Sequence, residues 1–155
     1  MTTINKALAD ELDATSFAGP RAFARYMLRE GRLQLRPLLG EIMAFRGAGL
    51  ETILYRSGCW QVELIAAMPH GAAEVHRHLR CTSADLLLNG SVLGAVEGRT
   101  VDRPKRGELG AQLRTIGKNE WHGGAAGPEG LVYLSFQQWD GEPTFISQDW
   151  DAWTS

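Results

Sequence analysis

Four histidines, His70, His76, His78 and His122, are the side chains of this sequence best suited to chemistry, and three of them fall within nine positions. Along a β-strand, side chains alternate between faces, so His76 and His78 share one side while Arg77 takes the other. Two imidazoles spaced roughly 7 Å along a curved strand can converge on one ion. A third ligand must then come from elsewhere in the chain, and His122 is the candidate. Neutral imidazole is the commonest metal ligand at physiological pH. An isolated His-x-His pair is common by chance; as ligands, these imidazoles would suit a divalent transition metal such as iron, zinc, manganese or nickel. His70 follows Pro69 in a loop-like stretch and reads as an exposed side chain.

Other polar residues share parity with these histidines. Glu74 would face the same interior if its strand begins that early, as a further ligand or a general base; placed in the turn after Gly71, it would be solvated. Asp85 shares parity with Ser83 and is expected to look inward, unless it serves as a turn acceptor where a strand begins. In the stretch 131–139, Tyr133, Ser135, Gln137 and Trp139 form one face, and Val132, Leu134, Phe136 and Gln138 the other. A few polar groups among aromatic walls suit a ligand pocket. Tyr133 and Gln137, with Ser83 and Asp85, are thus the expected pocket lining. Gln61 and Glu63 offer a similar pair, which an outward, solvated face would explain equally well. Trp121 points away from the interior if His122 points in.

These residues need strands to hold them. Ile4, Leu8 and Leu12 share one face of a helix from about Thr3 to Asp13. A second helix begins at Pro20, well placed in a first turn, and ends before Gly31. From Leu33 onward, short runs separated by Gly, Pro and Asn replace helical periodicity. Strands are expected at 41–45, 50–56, 60–68, 74–78, 85–88, 91–96, 112–116, 131–139 and 144–148. Short strands at turn-rich spacing imply an antiparallel sandwich or barrel. The acidic and aromatic segment from Asp149 to Trp153 is expected to pack its indoles on the outside of the fold or on a neighbouring subunit.

Composition excludes several function classes. The chain has 155 residues, 44% hydrophobic and 22% charged, which is the balance of one soluble globular domain rather than of a disordered or fibrous chain. A formal net charge of -2, and a basic cluster of Arg103, Lys105 and Arg106 interrupted by Pro104, argue against nucleic acid as a partner. No apolar run is long enough for a membrane span, and the first ten residues do not resemble a signal peptide. Cys59 and Cys81 lack metal-type spacing and are too few for a disulfide framework, so a cytoplasmic location is expected.

The segment 71–78 (GAAEVHRH), followed by 85–90 (DLLLNG) and later by 117–124 (GKNEWHGG), resembles the two sequence motifs of the cupin superfamily. The likeness spans about Leu50 to Trp139. It implies a fold dominated by β-strands, a double-stranded β-helix (cupin or jelly-roll) barrel over residues 33–155. An N-terminal two-helix segment, residues 1–32, would pack on it. In that family two histidines and a glutamate of the first motif and a histidine of the second hold one divalent metal. His76, His78 and His122 match the histidine positions. Aligning Gly90 with the glycine that closes the first motif puts Ser83 where the glutamate would be, so the fourth ligand is missing. Gly117 replaces a usual proline and Asn119 a usual glycine. Thiol dioxygenases, one cupin branch, are similar in using three histidines without a carboxylate, but Cys81 does not align with their cysteine. The resemblance implies a metal-dependent enzyme of dioxygenase, isomerase or hydrolase type acting on a small polar molecule. A non-catalytic sensor of a small molecule or metal, and a metal-free structural barrel, are the alternatives. Small cupins usually associate, so a homodimer is expected.

Overall fold

The computed structural model describes residues 16–29, 50–96, 99–100 and 113–153. The expected helix at 3–13 and strand at 41–45 lie outside them. Helix α1 is Pro20–Leu28, with proline in its first turn, where a backbone N–H has no partner to lose. Its buried side chains, Pro20, Phe23, Ala24 and Met27, follow the spacing of one helical face.

The strands are β1 (Leu50–Ser57), β2 (Trp60–Ala67), β3 (Ala72–Arg77), β4 (Cys81–Val96), β5 (Arg99–Thr100), β6 (Arg114–Ile116), β7 (His122–Trp139) and β8 (Asp151–Ala152). They form one sheet in the order β1-β2-β7-β3-β8, and β4 pairs with β5, β6 and β7. Every pairing is antiparallel. Among the described residues this path does not close on itself. β7 is the spine: its second half lies between β2 and β4, and its first half between β3 and β4.

Two expected breaks are not breaks. Strands expected at 85–88 and 91–96 are one strand, β4, and β7 begins nine residues before the expected Leu131. The glycines there serve close approach instead of termination. Gly90 and Gly130 hold φ of 80° and 76°, and a Cβ on Gly90 would stand 1.9 Å from the Gly130 carbonyl oxygen. Only glycine lets the two backbones meet at that point. Register shifts on either side of Asn89 and Gly90 bend β4 without ending it. The stretch 144–148, expected as a strand, holds a 3-10 turn at Ile146–Gln148, and the short strand β8 follows it.

Alternation gives the sheet two different faces. Val62, Leu64, Ala84, Leu86, Leu134 and Phe136 form the hydrophobic core together with Phe23, Ala24 and Met27 of α1. Fully burying Phe23 and Met27 stabilises the contact by about 2 kcal/mol each. The opposite face carries two polar cross-strand rows. One runs Gln61, Gln137, Ser83, Ile116, and the next Glu63, Ser135, Asp85, Arg114. Cys59 and Cys81 are free thiols. Among the described residues no helix is long and apolar enough to cross a membrane.

Candidate metal centre and cavity

His76 lies on β3 directly opposite His122, the first residue of β7, and His78 follows β3 by one residue. All three side chains are buried, and their ligand atoms lie within 4.8 Å of one another. Ring centroids are 4.2 Å apart for His76 and His122, 4.9 Å for His76 and His78, and 5.0 Å for His78 and His122.

Each ring has its other nitrogen committed. Nδ1 of His76 is 2.7 Å from the Glu74 carbonyl, Nδ1 of His78 is 2.7 Å from the Asp149 carbonyl, and Nδ1 of His122 is 2.9 Å from the Glu120 carbonyl. A carbonyl only accepts, so Nδ1 carries the proton and donates, which leaves each Nε2 with its lone pair. Burial disfavours the imidazolium and holds His76 down at about 4, with the His122 and His78 rings adding to the effect. Burial also lowers His78 and His122, against the opposing pull of their carbonyl partners. Three neutral imidazoles with oriented lone pairs are a donor set that fits a divalent transition metal. Among the described residues no carboxylate joins the cluster.

The C-terminal segment builds much of this site, a role its sequence did not disclose. Asp149 accepts His78 through its carbonyl, while its carboxylate takes the Arg80 N–H at 2.9 Å. β8 pairs with β3 at His76 and Arg77, and Arg77 Nε meets Asp151 at 2.7 Å. Trp150 lies flat on His76, with centroids 3.3 Å apart and planes 9° apart. The Trp150 indole thus lines the cavity beside the histidine cluster with one face while remaining 41% exposed. Trp153 does pack outside, edge-on to Trp121, over which Arg77 also sits.

The histidines line a cavity of about 610 Å³. Ser83, Asp85 and Tyr133 line it too, as does Arg114. Gln137 is not among the lining residues; it is wholly buried behind the wall, donating to Glu63 and accepting from Trp139 and Gln61. Glu74 is a correction: it is exposed and does not line the cavity. A bulge between Ala73 and His76 breaks the parity that would have turned Glu74 inward, and its backbone carbonyl serves His76 instead. Trp121 is also outside the cavity, and His70 is exposed in its turn.

Glu63 is the second feature that sequence reasoning left open. It and Gln61 are fully buried, which removes the solvated alternative. Glu63 Oε2 accepts from Gln137 at 2.9 Å, from the Ile146 N–H at 3.1 Å and from Gln61 at 3.3 Å. Desolvation nonetheless lifts its carboxyl to about 7. Asp85, on the same row, is pushed up to about 6 by burial, against the lowering influence of Ser135, Ser83 and Arg114. The parity of Gln61 with Glu63, facing that of Ser135 with Gln137, was the available signal.

No protein-family profile matches the chain, and no curated protein matches it. Solved structures do. A cupin-2 domain from Rhodospirillum rubrum is similar at 18% identity and a TM-score of 0.52, over 70% of this chain and 67% of that one. A cupin superfamily protein from Desulfitobacterium hafniense is similar at 17% identity and a TM-score of 0.51, over 67% of this chain and 89% of that one. A cupin-2 domain protein from Shewanella frigidimarina is similar at 15% identity and a TM-score of 0.50, over 63% of this chain and 89% of that one. With the strand order and the histidine cluster above, these likenesses establish that the chain has the double-stranded β-helix fold of the cupin superfamily.

Proposed function

We propose that this chain is a metal-dependent enzyme acting on a small polar molecule, with His76, His78 and His122 as ligands of a divalent iron, zinc, manganese or nickel ion. The observation that carries this reading is the set of three Nδ1 atoms held on backbone carbonyls, which leaves three buried Nε2 lone pairs in one cluster. When bound, the metal supplies Lewis acidity, with coordination positions left open by a three-ligand set.

The remaining chemistry belongs to the chain. Asp85 lines the cavity, and its carboxyl is pushed up to about 6, a range suited to moving a proton near neutral pH. Tyr133 lines the cavity, half-buried, and desolvation holds its phenol well above the usual range, so it stays protonated and is able to donate to a ligand. Trp150 and the apolar wall of Ile65, Leu87 and Leu131 exclude water. Dioxygenase, isomerase and hydrolase chemistry all fit this arrangement.

The test is to load the protein separately with each of the four metals and screen small polar substrates with and without oxygen. Turnover with one metal, lost in His122→Ala and strongly reduced in Asp85→Asn, is the expected result. Turnover that is indifferent to His122→Ala would refute the reading.

A further inference from the structure

Arg114 stands directly opposite Asp85 in the β4 and β6 pairing and lines the cavity. It makes no hydrogen bond or ion pair of 4.0 Å or less with any described residue. Arg114 is half-buried and its charge acts on the Asp85 carboxylate, but with no direct hydrogen bond between them its guanidinium remains open to an anionic ligand group.

Next to it the wall holds polar atoms that the protein leaves unmatched. Ser83 is 1% exposed and lines the cavity; its hydroxyl acts on the Asp85 carboxylate, as does that of Ser135, yet neither Ser83 Oγ nor Asp85 Oδ1 makes a hydrogen bond of good geometry. Behind them on the same two rows, Ser135 Oγ and Glu63 Oε1 likewise make none. Buried polar atoms are almost always hydrogen-bonded, and of these four residues Ser83 and Asp85 line the cavity, where a ligand's own polar groups can complete their bonding. Most of the remaining lining is apolar, including Ile65, Leu87, Val92, Ile116 and Leu131. Glu51 and Ser147 also line the cavity but are hydrogen-bonded to each other, which leaves Ser83, Asp85 and Arg114 as the polar groups of β4 and β6 open to a ligand.

We infer that Ser83, Asp85 and Arg114 form a subsite for a small hydroxycarboxylate, whose carboxylate meets Arg114 and whose hydroxyls meet Asp85 and Ser83. This rests on the reading of the cavity as a small-molecule site beside a metal. A cationic ligand would be repelled by Arg114. A neutral polyol would leave the guanidinium unpaired, and a plain fatty acid would leave Asp85 and Ser83 unmatched. The planar guanidinium suits a carboxylate, which it can grip with two parallel bonds.

The test compares three molecules of matched length by calorimetric titration: gluconate, sorbitol and hexanoate. Zinc content is measured on the same zinc-loaded samples. Gluconate is expected to bind at least about tenfold more tightly than sorbitol or hexanoate. Arg114→Gln should weaken gluconate by about tenfold or more, with zinc content and melting temperature unchanged, while Arg114→Lys retains part of the binding. No gluconate binding to wild type, equal binding of sorbitol, or an unaltered Arg114→Gln would each overturn the subsite. Zinc retained without gluconate binding removes the subsite and leaves the metal reading standing. Arg114-dependent gluconate binding to a protein that holds no zinc does the reverse.

Discussion

Glu63→Gln removes one ionisable group from the interior while keeping its shape and a carbonyl acceptor for Gln137 and the Ile146 N–H. In the wild type, burial carries the Glu63 carboxyl from 4.5 to about 7, with the Glu51 charge adding to the rise. Between those pH values the folded protein holds a proton that the unfolded chain has released. The contribution to stability is therefore complete below pH 4.5 and is lost as pH rises through about 7. At about 1.4 kcal/mol for each pH unit between the two values, the loss is roughly 3 kcal/mol, most of it between about pH 5 and 8. His76 and Asp85 also titrate, but they do so in both proteins and cancel in the difference. The assay is urea unfolding followed by tryptophan fluorescence across that range. Wild-type stability should fall relative to Glu63→Gln as pH rises. Parallel pH profiles would refute the assignment of a buried, protonated Glu63.

Trp150→Ala strips the ring stacked on His76 and should speed loss of bound zinc to a chelator by about two- to tenfold, with Trp150→Phe restoring most of the retention; equal rates in all three proteins would contradict this. Ser83→Glu should tighten metal retention by placing a carboxylate in the same cavity as the three histidines, measured by chelator competition. Unchanged retention there, together with no effect of His122→Ala, would rule out the triad as the site. We also propose a homodimer, because Trp153, Leu79 and Val75 are large apolar side chains left exposed. Light scattering at micromolar concentration should give twice the chain mass, and a monomeric mass would contradict it.

The parts of this molecule that follow short-range rules were readable in its residues. Two-residue periodicity put His76 and His78 together, and placed Tyr133 and Ser135 on the face opposite Leu134 and Phe136. The fold class followed from turn-rich strands and the likeness around His76, His78 and His122. Long-range effects were not readable in the same way. The Asn89-Gly90 pair looked like an ending because a glycine's close approach to Gly130 depends on a strand forty residues away. Glu74 kept its parity on paper, and a single bulge removed it. The C-terminal aromatic segment carried no periodic signal, since its role comes from one 3-10 turn that delivers the Asp149 carbonyl to His78 and the Trp150 ring to His76. Gln61 and Glu63 were ambiguous because a buried polar row and a solvated one share the same alternation.

Metal analysis by plasma mass spectrometry of protein purified without added metal, beside His76→Ala prepared identically, bears most directly on the metal centre. His76 touches both other histidines and Trp150, so its loss removes a ligand from the middle of the cluster. The expected result is close to one divalent transition-metal ion per wild-type chain and a small residue in His76→Ala. Equal metal in the two proteins, or a wild type that neither carries nor takes up such an ion, would contradict the three-histidine centre.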